Sequence, residues 1–150
     1  MPHTYISFVV HYVFSTKNRR RMISPDLEQR LWPYMGGIAR ANNMTAFCIG
    51  GTEDHVHMLV SLPSTISVAK AVQLVKGGSS KWVHEQFPEH REFEWQRGYG
   101  AFTIGISHLE NTIKYIESQK EHHKKVSFQE EYLAILRKHG LEYDERYVWD

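Results

Sequence analysis

The chain has 150 residues, 41% of them hydrophobic, which predicts one domain over residues 1–150. Its formal net charge of +1 excludes a polycation. Its single cysteine excludes an intrachain disulfide. No apolar run is long enough to cross a bilayer, and Met1-Pro2-His3-Thr4 does not open a secretory signal, so we expect a cytoplasmic protein with no membrane partner.

The first predicted element is a strand over residues 5–14, where β-branched and aromatic side chains predominate. Side chains alternate between the faces of a strand, so the even-numbered apolar residues would line one face and His11 the other. The strand leads into a basic loop that contains Lys17, Arg19, Arg20 and Arg21. Such a patch on a near-neutral protein suits a phosphate-bearing partner, although solvated loops carry similar runs.

A helix is predicted next, because Ser24 suits the N-cap and Pro25 the first helical position. Its apolar residues follow helical spacing as far as Asn42-Asn43, where we expect the helix to end. Pro33 and Gly36-Gly37 predict a kink or a break inside it.

A turn at Gly50-Gly51 is predicted to join a second strand, residues 44–49, to a third strand that begins at His55. His55 and His57 would share one face of this strand, so two imidazoles could aim their nitrogens at one metal ion. Ten histidines in 150 residues produce an H-x-H by chance about 0.6 times. The spacing alone therefore also fits two structural histidines.

The second predicted helix runs from about Ser67 to Phe87 and is interrupted by Gly77-Gly78-Ser79-Ser80. Each glycine costs about 1 kcal/mol relative to Ala inside a helix, so the interruption needs a reason. Lys76 and Lys81 flank it, which suits a backbone approach to phosphate. A bend required for packing explains the glycines at least as well.

The last third of the chain predicts one or two strands and two helices. Residues 93–104 indicate a fourth strand and, bent at the glycines, a fifth. Ser107 would cap a helix that runs to about His122. A second capping signature at Ser127 opens a final helix, and the aromatic tail of residues 143–150 would dock on the domain. This order of elements predicts an α+β fold, an antiparallel four- or five-stranded sheet with helices packed on it.

Tyr115 and Gln119 lie four residues apart on the third predicted helix and would share one of its faces. A tyrosine in such a place more often packs half-buried than acts as a catalyst. His122 and His123 follow closely and could either join a metal site or lie in solvent.

The motif His55-Val56-His57, followed about sixty residues later by Tyr115-Ile116-Glu117-Ser118-Gln119, resembles the HUH endonuclease superfamily. More closely, the chain resembles the single-tyrosine transposases of small bacterial insertion sequences and the related REP-associated tyrosine transposases. Residues 12–20, 72–80 and 95–102 carry further parts of this resemblance, which covers nearly the whole chain.

The resemblance implies a ferredoxin-like (RRM-like) HUH endonuclease fold and an enzyme that cleaves and rejoins single-stranded DNA. His55, His57 and Gln119 would ligate a divalent metal, Mg or Mn. Tyr115 would attack the scissile phosphate and form a 5′-phosphotyrosine. Two neutral imidazoles and one amide would leave the charge of the ion uncompensated, which favours binding of a DNA phosphate.

The resemblance also implies the partners. The substrate would be single-stranded DNA with hairpin ends, and a homodimer would form in which the tyrosine helix of one subunit completes the site of the other. The basic side chains expected to contact the DNA backbone are Lys17, Arg19, Arg20, Arg21, Lys76 and Lys81.

Two other functions remain open at this stage. A replication initiator or relaxase-like nickase uses the same histidine and tyrosine chemistry, although such enzymes usually belong to longer chains. A non-catalytic single-strand nucleic-acid-binding module would use an RRM-like sheet, but its RNP1 pattern of basic, glycine and alternating aromatic residues is missing from this sequence.

Overall fold

The computed structural model describes residues 3–150. Met1 and Pro2, which begin the segment that we expect to lack a secretory signal, lie outside the described residues. The strands and helices, in chain order, are β1 Val9–Ser15, α1 Pro25–Ala41, β2 Thr45–Gly51, β3 His55–Ser61, α2 Val68–Gln86, β4 Gly100–Ile104, α3 Leu109–Glu117, α4 Gln119–His122 and α5 Phe128–Lys138. Within residues 3–150, none of these helices combines the length and the apolar character that spanning a membrane requires.

The four strands form one antiparallel sheet in the order β2-β3-β1-β4. β1 and β3 hold the central positions, and His57 lies opposite Val13 of β1 and Gly50 of β2. The predicted α+β fold is therefore confirmed with four strands. Trp95 contributes an isolated bridge to Thr16 rather than a fifth strand among the described residues.

Helices cover both faces of the sheet. α1 and α2 pack on one face, against alternate strand side chains that include Val10, Tyr12, Phe14, Val56, Met58 and Val60. On the other face α3 places Ile116 against Leu59. α5 packs beside it in an apolar cluster of Val13, Phe102, Phe128, Tyr132 and Leu136. His55 and His57 point toward this second face, so they lie between the sheet and the last three helices.

β1 begins later than the sequence predicts. Residues 5–8 lie outside the strand, although their β propensity is high. Val9 pairs with Ser61 on one side and with Ile104 on the other, and these are the last residues of β3 and β4. The ladder stops where its partner strands stop, so local propensity alone does not extend it.

The reversal between β2 and β3 also differs from the prediction. Gly50 and Gly51 belong to β2, and the chain turns at residues 52–54. The turn is closed by the backbone N–H of Thr52, which donates to the carbonyl of His55 over 3.1 Å. A Cβ on Gly51 would collide with that carbonyl oxygen. Glycine is therefore required where the hairpin closes directly onto the first histidine.

The first two long helices are continuous where the sequence predicts interruptions. α1 passes through Pro33 and Gly36-Gly37, and α2 passes through residues 77–80 without a break. In α2 the reason is helix packing, because a Cβ on Gly78 would lie 2.9 Å from Cδ1 of Ile38 in α1. Gly78 lets α1 and α2 approach closely, and burial of the apolar faces of the two helices offsets the propensity cost of the glycines.

The last helices match the sequence in part. Ser127 caps α5 as predicted, its Oγ accepting from the backbone N–H of Glu130 over 3.1 Å. The prediction that Ser107 caps the tyrosine helix is wrong, because a 3₁₀ turn precedes α3 and His108 holds the N-cap position. That helix also ends early, at Glu117, and resumes as α4. The tail docks as predicted, with Tyr143, Val148 and Trp149 half-buried against the α5 cluster.

We expect Gly51→Ala to lower the free energy of unfolding by about 1–3 kcal/mol, because relieving the collision requires the backbone to shift. Gly77→Ala is the matched control, since a Cβ there meets nothing within 4 Å and should raise stability by about 0.5–1 kcal/mol. Urea unfolding with unchanged m-values measures both. A Gly51→Ala protein as stable as the wild type would contradict the packing argument.

Candidate active site

The four residues that the sequence selects for chemistry meet beneath α3 and α4. His55 and His57 come from β3 and are fully buried, and Gln119 of α4 is 1% exposed. Nε2 of His55 lies 2.9 Å from Oε1 of Gln119. The ring of Tyr115, in α3, stands edge-on to the ring of His57 with centroids 5.6 Å apart. One chain thus contains both imidazoles, the amide and the phenol in a single cluster.

A break in the helix, not a continuous helix face, brings Tyr115 and Gln119 to this cluster. α3 ends at Glu117, and Ser118 has φ −95° and ψ 14° before α4 begins. The hydroxyl of Ser118 donates to the carbonyl of Tyr115 over 3.0 Å. The end of α3 also lies very near β2, since a Cβ on Gly50 would come within 3.0 Å of the Ile116 carbonyl oxygen.

Glu131 of α5 lies at the centre of the cluster, and sequence reasoning did not select it. Its side chain is 3% exposed, and its Oε1 is 3.1 Å from Nε2 of His57 and 3.1 Å from Nε2 of His123. Its Oε2 accepts from Nε2 of Gln119 over 3.0 Å and from the hydroxyl of Tyr115. One carboxylate therefore contacts three of the four predicted residues.

A signal for Glu131 does exist in the sequence. The buried face of α5 consists of Phe128, Glu131, Tyr132 and Leu136, which follow the i, i+3, i+4 spacing of an apolar stripe. A carboxylate on such a stripe must be paired or hydrogen-bonded, since isolated charges are rarely buried. The stripe identifies Glu131 as unusual, although it does not reveal its partners.

Outer hydrogen bonds orient both histidines of β3. Nδ1 of His55 lies 2.8 Å from Oδ1 of Asp54 and 3.0 Å from Oγ1 of Thr52. Nδ1 of His57 lies 2.8 Å from Nε2 of His11. These contacts leave Nε2 of both rings directed at the cluster, the arrangement that outer partners impose on metal-binding histidines.

The electrostatic environment keeps His57 and His11 neutral and Glu131 ionised. Burial lowers the pKa of His57 despite the opposing effect of Glu131. Burial and the neighbouring His57 lower the pKa of His11 to about 3. Burial alone would raise the pKa of Glu131, but hydrogen bonds from His123 and His57 outweigh it and hold that pKa well below its usual range.

Tyr115 is held in its protonated form. Its pKa is raised by burial, and the charge of Glu131 raises it further. His123 differs from His57 and His11. Burial alone would lower its pKa, but the hydrogen bond and charge of Glu131 raise it above the usual value.

The residues fit a divalent cation. The nitrogens of His55 and His57 and a carboxylate oxygen of Glu131 all lie within 4.8 Å of one another. Neighbouring donor atoms are separated by 2.9 Å for His55 and Gln119 and by 3.1 Å for His57 and Glu131. Ligand bonds of about 2.1 Å put adjacent donors about 3.0 Å apart in octahedral and about 3.4 Å apart in tetrahedral coordination.

The basic loop after β1 is exposed beside the sheet. Lys17 and Arg21 form loose surface ion pairs with Glu94 and Glu53 at 3.4 and 3.6 Å. The guanidinium carbon of Arg19 lies 5.0 Å from the ring centroid of Trp149, and Arg20 is exposed. The loop thus presents cationic groups with only weak internal partners.

Lys76 and Lys81, which flank the glycines of α2, lie in different environments. The Lys76 ammonium donates to the carbonyls of Gln96, Arg97 and Gly98 over 2.6, 3.1 and 2.9 Å. Burial lowers its pKa to about 8. Lys81 is exposed and lies 4.0 Å from Glu85.

A cleft of about 730 Å³ opens beside Tyr115, between α3 on one side and α5 on the other. Polar and imidazole side chains line much of it, including His108, Asn111, Thr112, His122 and Lys138. The cleft gives the phenol a route to solvent from an otherwise buried cluster.

Comparisons with known proteins point to a family of transposases. The family model described as "Transposase IS200 like" matches residues 4–119. The transposase for insertion sequence element IS200 from Salmonella typhimurium is 31% identical over 133 residues, covering 83% of this chain and 84% of that protein. The ISDra2 transposase TnpA from Deinococcus radiodurans is 24% identical over 116 residues, covering 74% and 83%. In fold, the structure of the REP-associated tyrosine transposase bound to a REP hairpin aligns with a TM-score of 0.61 at 16% identity, covering 84% of this chain and 74% of that one.

We expect Asp54→Ala to weaken Mn²⁺ binding by about 10- to 100-fold, because His55 loses the partner that orients its ring. Glu53→Gln is the matched control, as Glu53 neighbours Asp54 and its exposed side chain pairs with Arg21 at the surface. Isothermal titration of both variants measures the effect. Equal affinity in Asp54→Ala and the wild type would mean that this contact does not position a ligand.

Proposed function

The chain belongs to the IS200-like transposase family, as its histidine and tyrosine motifs predict, and we propose that it cleaves and rejoins single-stranded DNA through a 5′-phosphotyrosine. The observation that carries this proposal is the convergence of Tyr115 with His55, His57 and Gln119 in one cluster. A tyrosine nucleophile suits strand transfer, because the covalent intermediate retains the energy of the phosphodiester for rejoining.

In the proposed cleavage step the phenolic oxygen of Tyr115 forms a bond to the scissile phosphorus. The bond from that phosphorus to the 3′-oxygen breaks, and the proton lost by the phenol ends on the departing 3′-hydroxyl. Rejoining runs the same exchange in reverse with the same or another 3′-hydroxyl, so no nucleotide cofactor is consumed. Because its environment raises the pKa of Tyr115, the phenol must be activated once DNA is bound.

His55, His57 and Gln119 are the proposed ligands for Mg or Mn. When bound, such an ion supplies positive charge that polarises a phosphate oxygen. Asp54 and His11 hold the two imidazole rings with Nε2 toward the cluster, and burial keeps His57 in the neutral form that a ligand requires.

The proposed substrate is single-stranded DNA that folds into a hairpin, by analogy with the relative solved with a REP hairpin. For backbone contacts we propose the loop residues Lys17, Arg19, Arg20 and Arg21 together with Lys81 and Lys76. The loop is accessible, whereas Lys76 would have to exchange its bonds to backbone carbonyls for bonds to phosphate. The proposed site of action is the cytoplasm.

Two observations weigh against the alternative functions, a binding module and a relaxase-like nickase. A non-catalytic binding module gives no role to a tyrosine hydroxyl bonded to a buried carboxylate. A relaxase-like nickase would share the cleavage step, and the family match favours the transposase. Strand rejoining from a purified covalent adduct distinguishes transferase from simple nickase.

We expect Tyr115→Phe to abolish the covalent protein–DNA adduct, lowering its rate of formation by at least about 10³-fold, because the nucleophilic oxygen is removed. Tyr147→Phe is the control, since Tyr147 is 61% exposed and lies outside the cluster. Labelled hairpin DNA incubated with Mn²⁺ and resolved on a denaturing gel detects the adduct. An adduct that persists in Tyr115→Phe would assign the nucleophile elsewhere.

The homodimer with composite sites, which the family resemblance predicts, stays a prediction that mixing inactive variants can test. One chain places Tyr115 against its own His57, and if each chain uses its own tyrosine, an equal mixture of Tyr115→Phe and His57→Ala chains remains inactive. If two subunits exchange the tyrosine helix, the mixture should instead regain about a quarter of wild-type activity, since half of the dimers are mixed and each holds one intact site.

A further inference from the structure

We infer that Glu131 is an anionic ligand in the proposed metal site, so that the donor set comprises two imidazoles, one amide and one carboxylate. The inference rests on the proposed function and extends it to α5. Glu131 lies beyond residues 4–119, which the family model matches, and the geometry of this chain supports its role.

Oε1 of Glu131 has the position of a ligand atom. It lies 3.1 Å from Nε2 of His57 and 3.7 Å from Nε2 of His55. Nε2 of His55 is in turn 2.9 Å from the Gln119 oxygen. Three of the four atoms would be donors in any case. The separations of 2.9 and 3.1 Å match adjacent positions around a small divalent ion. The separation of 3.7 Å is wider, so the ion would draw Oε1 of Glu131 and Nε2 of His55 closer together.

Oε2 of Glu131 fixes the direction of another ligand. It accepts from Nε2 of Gln119 over 3.0 Å, which turns the amide so that its oxygen faces His55. An amide held the opposite way would present N–H groups and could not coordinate a cation. The same oxygen accepts from the hydroxyl of Tyr115, so a single carboxylate joins the nucleophile to the ligand atoms.

The charge of Glu131 calls for a cation. Among the described residues, every group within ion-pairing distance of this carboxylate is a histidine, and no lysine or arginine pairs with it. A carboxylate that is 3% exposed is costly unless a positive charge compensates it. A divalent ion would supply that charge. The rival arrangement is a protonated His123 paired with Glu131 at 3.1 Å, which needs no metal.

A carboxylate ligand would change the site in two ways. The set expected from sequence is neutral, whereas this set carries one negative charge and would bind a cation more tightly before DNA arrives. It would also tie α5 to the metal, since α5 reaches the sheet mainly through the apolar cluster around Phe128 and Tyr132. Binding of the ion should then hold α5 in place.

Mn²⁺ affinity, measured from the free-ion electron paramagnetic resonance signal without DNA, tests the inference. We expect Glu131→Gln, which keeps the size of the side chain, to raise the Kd at least about tenfold, the lower end of the loss caused by removing even an outer partner. Glu130→Gln removes the same charge from an exposed neighbour on α5 and should leave the Kd unchanged. Glu131→Asp should recover part of the affinity.

Hydrogen exchange supplies a readout independent of affinity and activity. Saturating Mn²⁺ should slow exchange of the α5 amides in the wild type and in Glu130→Gln, but not in Glu131→Gln. Wild-type affinity in Glu131→Gln, or α5 exchange that ignores the metal, would overturn the inference in favour of a hydrogen-bonded histidine–glutamate cluster only. The proposed metal site itself would fail on a different result, undiminished Mn²⁺ binding in His57→Ala.

Discussion

The two-residue alternation of side chains along β3 is the constraint on which the rest of the molecule depends. Val56, Met58 and Val60 enter the larger core, and this forces the intervening histidines onto the opposite face. Because β3 is hydrogen-bonded to strands on both sides, a slip of one residue would exchange the face that carries the histidines for an apolar one. The apolar core therefore sets the register of the polar site.

A polar cluster buried between sheet and helices must satisfy its own hydrogen bonds. Within residues 3–150, every buried side-chain nitrogen and oxygen has a partner, and the cluster achieves this with groups from β1, β3, α4 and α5. His11 and Asp54 hydrogen-bond to Nδ1 of His57 and of His55, respectively. Glu131 hydrogen-bonds to Nε2 of His57. Such a network specifies one arrangement of its members, since removing any one leaves a buried group unpaired.

The sequence predicts much of this site because its strongest signals are local. His55 and His57 share a strand face, and Ser127 caps its helix, for reasons contained in a few neighbouring residues. Helical spacing predicts that Tyr115 and Gln119 share a face of one helix, but the helix is broken between them. The contacts of Glu131 depend on how α5 packs against the sheet, and no short motif encodes that packing. The continuous α2 illustrates the same limit, as packing against Ile38 overrides the propensity of two glycines.

The break at Ser118 divides the segment that carries the phenol and the amide into two short helices. α3 carries the phenol and α4 carries the amide, and only the backbone of one serine joins them. Each segment has its own anchor, since Ile116 of α3 packs on the sheet against Leu59 and Gln119 of α4 is held by His55 and Glu131. The packing of α3 therefore sets the direction of the phenol, the hydrogen bonds of the cluster set that of the amide, and the two functional side chains are positioned independently.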